Sequence, residues 1–186
     1  RSGTQAESEA GRMSDAAKKK EDILQPTDDE ARALVHELMA RADYAAIAAL
    51  DPATGHPLAS RVALALDEDG TPVILTSKLA AHTPAIEADG RCSLLVGEPG
   101  MIKEAKGDPL THPRLTVIAE AERVAHDSDM HARLRERWLV RHPKSKLYID
   151  FPDFAFFRLA PLRGSLNGGF GKAYELTPSD MLSVEA

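Results

Sequence analysis

The stretch HPLASRVALALD, residues 56–67, constrains the fold more than any other part of the sequence. Its side chains alternate with a period of two, which is the pattern of a half-buried β-strand. One face carries Leu58, Ser60, Val62, Leu64 and Leu66, and the other carries Ala59, Arg61, Ala63 and Ala65. The following Glu68-Asp69-Gly70 predicts a hairpin turn, and Val73–Thr76 predicts the return strand.

Similar strand patterns recur along the chain, with helical patterns around them. Apolar residues at helical spacing predict a helix after Asp28, and Ser128 is placed to cap another helix that ends before Pro143. Further strand patterns occupy Tyr44–Leu50, Arg91–Gly97, the run PRLTVIAEAERV at 113–124, and two segments on either side of Gly168-Gly169. This order predicts a mainly β, α+β domain, namely a closed antiparallel barrel with flanking helices.

Composition limits the class of protein. The chain has 186 residues, 43% of them hydrophobic, which suits one globular domain over residues 26–186 after a polar, disordered leader at residues 1–25. The formal net charge of −6 argues against a nucleic-acid partner. No run approaches the roughly 18 consecutive apolar residues of a membrane span and no signal peptide is recognisable, so we expect a cytoplasmic protein.

A few residues can be interpreted individually. The single cysteine, Cys92, excludes an internal disulfide and a cysteine-cluster metal site, and its apolar strand predicts burial. Trp138 stands at helical spacing from Leu134, which predicts a core or interface position. His126 and His131 flank a predicted helix start, where we expect both to be exposed.

A candidate anion site lies where the strand Val73–Thr76 ends. Thr76 and Ser77 offer hydroxyl donors, and Lys78 and His82 offer positive charge. Thr83-Pro84 predicts the start of a short helix with threonine as its N-cap, and a helix N-terminus favours phosphate.

Arg61 extends this site, since it projects from a face otherwise lined by alanine on which a large planar group could lie. Together, the polar residues near Thr76 and the alanine face around Arg61 predict a ligand that carries a phosphate on a flat group. The alternative is an ordinary strand-to-loop transition in which His82 caps a backbone carbonyl.

From Asp43 to about Tyr174 the chain resembles the pyridoxamine 5′-phosphate oxidase-related, FMN-binding split-barrel superfamily. The run from Ser60 to Val96 resembles its flavin-binding hairpin and helix, and PRLTVIAEAERV resembles its next strand. The segments LAAHT, GEPG, RHPKSKLYIDFPDFAFFRLAP and GGFGKA are most similar to the haem-utilisation branch. The resemblance implies an antiparallel split β-barrel and an oxidoreductase that binds FMN at a homodimer interface.

The resemblance also assigns roles to residues of the two central strands. It implies that Arg61 contacts the FMN phosphate and that Val62 and Ala63 make backbone contacts beside the flavin. It further implies that Thr76 and Ser77 line the ribityl and phosphate region.

Four more residues belong to the implied site. His82 stands where the pyridoxamine phosphate oxidases have a phosphate-binding lysine, so its charge depends on pH, and Lys78 could compensate. Thr83 belongs to the adjoining helix start. Arg114 would approach from the partner subunit.

Three functions remain open at this point: an FMN-dependent oxidoreductase, a haem-binding or haem-degrading protein, and a non-catalytic flavin-binding module. The polar set around Arg61 favours FMN, because FMN carries a dianionic phosphate. Haem would need an axial ligand, for which His112 is the first candidate. The sequence identifies neither a substrate nor an electron donor.

Two loops also have open roles. Gly100–Lys106 is longer than the usual link in the resembling family. Gly168–Gly171 is either a plain hairpin turn or a segment that closes over the ligand pocket.

Overall fold

The computed structural model describes residues 24–97, 107–169 and 171–182. Residues 1–23 of the predicted leader and the Gly100–Lys106 loop lie outside the described residues. The backbone N–H of Gln25 donates to the carbonyl of Ala173 at 2.9 Å. The last residue of the predicted leader therefore makes a backbone contact with Ala173.

The regular elements follow the predicted order. The helices are α1 (Asp29–Arg41), α2 (His82–Ala88), α3 (Asp129–Arg141) and α4 (Pro178–Met181), with 3-10 turns at Pro109–Thr111 and Pro143–Leu147. The strands are β1 (Tyr44–Leu50), β2 (Pro57–Ala63), β3 (Ala65–Leu66), β4 (Pro72–Ser77), β5 (Arg91–Val96), β6 (Arg114–Arg123), β7 (Phe154–Asn167) and β8 (Ala173–Leu176). Ser128 caps α3 as predicted, since its hydroxyl accepts the backbone N–H of His131.

The strands form one antiparallel sheet in the order β2-β1-β5-β6-β7-β4-β3, and β8 pairs with β7. The two ends of this path are neighbours in the chain, because Ala63 pairs with Tyr44 of β1 while Ala65 pairs with Val73 of β4. Leu64 lies between them, fully buried, and its N–H donates to the carbonyl of Asp43. The predicted fold, a mainly β split barrel with flanking helices, is confirmed, although the single strand expected over Leu58–Leu66 is divided at Leu64.

Strand β7 pairs with three other strands of the barrel. Its first residues, Phe154–Arg158, pair with β4, its last residues pair with β8, and β6 lies along its other edge. The register with β6 shifts between Ile118 and Ala119, opposite Pro161. A proline has no N–H to donate, so a β-bulge is where a strand tolerates it.

The apolar side chains form two clusters on opposite faces of the sheet. The larger cluster fills the barrel interior, and the smaller one packs α3 against the outside around Trp138, which is 1% exposed. Cys92 is buried as predicted, and burial raises the pKa of its thiol to about 12. The expected exposure of His131 is wrong, because its ring stacks on His126 at 4.3 Å and meets Phe156 edge-on.

The glycine segment after β7 is a hairpin turn. The N–H of Gly168 donates to the carbonyl of Lys172 at 2.8 Å. Gly169 and Gly171 have φ angles of 111° and 76°, a backbone region that favours glycine. Within the described ranges, no helix combines the length and apolar character that crossing a membrane requires.

A buried carboxylate fixes the β3–β4 hairpin to α3 and β7. The side chain of Asp67 is 2% exposed and lies 3.0 Å from Nε of Arg158 and 3.3 Å from Nη2 of Arg133. Arg158 also reaches Asp69 at 2.6 Å. One acidic group thus holds together three separate elements of the barrel.

We expect Asp67→Asn to lower the free energy of unfolding by about 3 kcal/mol, because it removes the charge that two guanidinium groups share. The matched control is Glu68→Gln on the same hairpin, whose side chain is 53% exposed and whose loss should change the free energy by less than about 0.5 kcal/mol. Urea unfolding of both variants measures the difference. Equal, small effects would show that the buried pairs do not stabilise the hairpin.

Candidate functional site

The candidate site lies at a seam of the barrel, where β2 faces the end of β4 and α2 begins. In the described part of the chain β2 pairs with β1, and β4 pairs with β7 and β3, so no backbone ladder joins β2 to β4. Helix α2 starts at His82, after Ala81, without a side-chain cap. The predicted N-cap role of Thr83 is therefore wrong. Thr83 lies inside the first turn, and its hydroxyl donates to the carbonyl of Ser77 at 2.7 Å.

A chain of buried polar groups crosses this seam. Nδ1 of His82 lies 3.0 Å from Oγ of Ser60, and Nε2 of His82 lies 2.7 Å from Oγ1 of Thr76. Oγ1 of Thr76 lies 2.7 Å from Oγ1 of Thr83. Thr76, His82 and Thr83 are all buried, at 3%, 5% and 1% exposure. The chain therefore joins β2, α2 and β4 inside the barrel.

The directions of these hydrogen bonds follow from their last member. The carbonyl of Ser77 can only accept, so Thr83 donates its one hydroxyl proton there. Thr83 must then accept from Thr76, and Thr76 in turn must accept from Nε2–H of His82. In the neutral ring Nδ1 is an acceptor, and the hydroxyl of Ser60 donates to it. Each group in the chain is thereby satisfied.

The environment of His82 favours this neutral form. Burial lowers the pKa of the imidazole below its ordinary value of 6.5. The alternative in which His82 caps a backbone carbonyl is also wrong, because both of its ring nitrogens meet side-chain hydroxyls.

Arg61 lies on the opposite face of β2, pointing out of the barrel. It is exposed, and its guanidinium carbon lies 5.3 Å from the ring centroid of Tyr44. Cross-strand pairing continues from Arg61 through Ala46 and Leu95 to Thr116, which makes a half-exposed face of mostly small side chains. Ala63, paired with Tyr44, belongs to the same face.

Ser77 and Lys78 mark the other side of the seam. The hydroxyl of Ser77 donates to a carboxylate oxygen of Asp153 at 2.6 Å. The backbone N–H of Lys78 donates to the carbonyl of Asp153, while its side chain is exposed. Lys78 makes no ion pair with any residue of the described ranges.

Arg114 lies on the same outer face as Arg61 but three strands away, about 14 Å at ordinary strand spacing. Its Nη1 donates to the carbonyl of Leu110 at 3.0 Å. Nearby, Nε2 of His112 is buried and has no hydrogen-bond partner among the described residues. A cavity of about 390 Å³ lies beside α1, and its wall includes Tyr44, Leu95 and Pro113 together with the charged residues Glu37, Arg41 and Asp43.

The nine predicted site residues therefore fall into two sets. Val62, Thr76, His82 and Thr83 face the interior. The outer set comprises Arg61, Ala63, Ser77, Lys78 and Arg114.

Sequence reasoning missed Ser60, Tyr44 and Asp153 as partners of these groups. Ser60 carried a signal, since it is the one polar residue on the apolar face of residues 58–66.

Comparisons with known proteins find relatives that are described as heme oxygenases. The chain is 34% identical over 107 residues to Non-canonical heme oxygenase HOZ, chloroplastic, of Arabidopsis thaliana, covering 58% of this chain and 30% of that protein. It is 30% identical over 134 residues to Heme oxygenase HutZ of Vibrio cholerae serotype O1, covering 70% of this chain and 72% of HutZ. The chain thus spans less than a third of the first relative and most of the second.

Solved structures with the same fold include a haem-binding protein. A heme binding protein from Mycobacterium smegmatis superposes with a TM-score of 0.71 at 28% identity, over 85% of this chain and 61% of that one. A putative pyridoxamine 5′-phosphate oxidase from Listeria innocua shares the fold, with a TM-score of 0.55 at 14% identity over 73% of this chain and 96% of that one. The predicted resemblance is confirmed to this extent: the chain matches a heme oxygenase at 30% identity over most of both chains, and it shares its fold with a putative pyridoxamine 5′-phosphate oxidase.

One family profile covers the whole described sheet. The family described as CREG, beta-barrel matches residues 26–183, a range that includes the eight strands and four helices of the described residues. This chain belongs to the CREG, beta-barrel family.

Proposed function

We propose that this chain binds haem and belongs functionally with the haem-degrading oxygenases. The observation that carries the proposal is the buried chain from Ser60 to Ser77. Three groups expected to hold a flavin phosphate, namely Thr76, His82 and Thr83, already bind each other. The exposed cations Arg61 and Lys78 can pair with the carboxylates of a flat ligand as well as with a phosphate.

The residues present fit a haem on three counts. The outer face offers a flat surface of small side chains beside Arg61, a cation that could pair with a propionate. The cavity beside α1 adds an apolar wall of Leu34, Leu38 and Leu95, next to the charged side chains of Glu37, Arg41 and Asp43. His112 supplies an imidazole Nε2 without a partner among the described residues, and neutral imidazole is a common axial ligand of haem iron.

Bound haem would itself supply the redox-active iron. The chain's own residues supply position, cations and exclusion of water. Three of the proteins compared above are at least 28% identical to this chain, and the name of each of the three refers to haem. These names support the proposal. The reductant that haem degradation would consume is not assigned.

The site requires two copies of the chain in this proposal. Arg61 and Arg114 lie at opposite ends of one open face, so a single chain presents them too far apart to grip the same anionic group. Two-fold pairing of that face would bring Arg114 of one protomer toward Arg61 of the other, and it would make two equivalent sites.

FMN remains a second candidate, favoured by the exposed cations Arg61 and Lys78 on either side of the seam. A dianionic phosphate between them would be held by charge alone, without the buried hydroxyls. In that case the protein is an FMN-dependent oxidoreductase or a flavin-binding module.

We expect haemin to bind the purified protein with a defined Soret band and Arg61→Ala to weaken it roughly ten- to hundredfold, as loss of a charge-assisted contact worth about 1.5–3 kcal/mol implies. Arg137→Ala, an exposed arginine on α3, is the matched control and should leave affinity unchanged. Haemin binding no tighter than to an unrelated acidic protein would contradict the proposal.

The same variant discriminates the second candidate when FMN and riboflavin are titrated in parallel. If FMN is the ligand, Arg61→Ala should weaken FMN by a similar factor and riboflavin much less, because riboflavin lacks the phosphate. Arg61→Lys should recover only part of the loss, since an ammonium cannot reproduce the planar fork. Equal weakening of both flavins would show that Arg61 acts through structure.

We expect His112→Ala to abolish the histidine-ligated spectrum of bound haemin, because it removes the unpartnered Nε2. His56→Ala, in the exposed turn after β1, is the control and should leave the spectrum unchanged. Absorption and magnetic circular dichroism spectra of the ferric protein report the ligand directly. An unchanged spectrum in His112→Ala would assign the axial ligand elsewhere.

We expect the wild-type chain to sediment as a dimer and Ala48→Arg, on the half-exposed outer face, to sediment as a monomer with weakened haemin binding. An arginine there would bury a charge in the paired face. Ala53→Arg in an exposed turn controls for added charge. A wild-type monomer that still holds its ligand would contradict the paired site.

A further inference from the structure

His82 connects the inside of the barrel to the cations on its outer face. Its partner Ser60 is the neighbour of Arg61 on β2, and its partner Thr76 is the neighbour of Ser77 on β4. Successive residues of a strand point to opposite faces. A side chain that fixes Ser60 and Thr76 from within therefore fixes the backbone from which Arg61 and Ser77 project outward.

We infer that His82 is a positioning residue: its Nδ1 accepts from Ser60 of β2 and its Nε2–H donates to Thr76 of β4, so it holds β2 against the end of β4. It thereby sets the spacing between Arg61 and the segment of Ser77 and Lys78 without touching the ligand. The inference rests on the proposed function only in that these two cations receive an anionic ligand. It holds equally for the carboxylates of haem and the phosphate of FMN.

Among the described residues, none places a charge beside His82 that would favour an imidazolium. Glu87 on its own helix pairs with Arg123 of β6 at 2.9 Å, and Asp153 accepts the hydroxyl of Ser77. Strand β4 has no titratable side chain, and Arg61 of β2 points to the opposite face. The other titratable groups on the strands packed against α2 are Tyr44 on β1 and Arg114, Glu120 and Glu122 on β6.

Protonation would also disturb the hydrogen bonds, because Nδ1 would become a donor and the hydroxyl of Ser60 would have to turn away. Burial lowers the pKa of His82. The unfolded chain therefore takes up a proton near pH 6.5 before the folded chain does, and stability is lost as the pH falls below that value.

A direct ligand role would have opposite consequences. A phosphate-binding His82 would act as a cation, and a lysine there would act at least as well. The hydroxyl of Thr76 would then be dispensable, since it carries no charge. The two roles can be separated by changing the partners of His82 rather than His82 alone.

The experiment compares His82→Gln, His82→Lys and Thr76→Val in the full chain, with haemin and FMN as probes. If His82 positions the strands, Thr76→Val should weaken the bound probe about tenfold, as does His82→Gln, and His82→Lys should not restore affinity. Thr54→Val, the same substitution in an exposed turn, should change nothing. Full affinity in Thr76→Val together with tight binding by His82→Lys would overturn the inference.

A second measurement needs no ligand. Two-bond ¹H–¹⁵N spectra of the histidine rings at pH 7 should show His82 neutral with its proton on Nε2, and Thr76→Val should shift the backbone amide signals of Ser60 and Arg61. An Nδ1–H tautomer, or an imidazolium, would overturn the inference. If neither haemin nor FMN binds the wild type, the proposed function fails while this measurement still decides the role of His82.

Discussion

The barrel depends on a change of hydrogen-bonding partner at one residue. On one side of Leu64 the chain pairs with β1, and on the other side it pairs with β4. The two edges of the sheet are thereby brought together without a backbone ladder between β2 and the end of β4. The resulting seam is the place where side chains, rather than main-chain bonds, determine the distance between strands. Leu64 can occupy this position because it is fully buried and its N–H finds the carbonyl of Asp43.

Local pattern predicted the elements well, because period-two alternation, turn glycines and a serine cap act over a few residues. The same pattern did not predict which elements pack on each face of the sheet. Ala65 points outward as the alternation implies, yet it is buried because α3 packs there around Trp138. His131 is buried for the same reason, since its neighbours Phe156 and His126 come from outside its own helix.

The candidate site shows the same limit at atomic scale. The sequence indicated the right residue types around Thr76, but hydrogen-bond partners at separations such as the 22 residues between Ser60 and His82 depend on the closed barrel. Sequence position alone put Arg61 and His82 in one anion site. The alternation of β2 places them on opposite sides of the sheet, so one group can face a ligand while the other supports it.

The burial of Cys92 has a practical consequence for the chemistry around it. Its thiol donates toward the carbonyl of Ala119, and burial raises its pKa to about 12, so the group stays protonated at neutral pH. Thiolate is the form that peroxides and alkylating reagents attack. The native cysteine should therefore resist oxidation and alkylation, and a cysteine introduced at the surface would be the reactive thiol for spin or fluorescent labels.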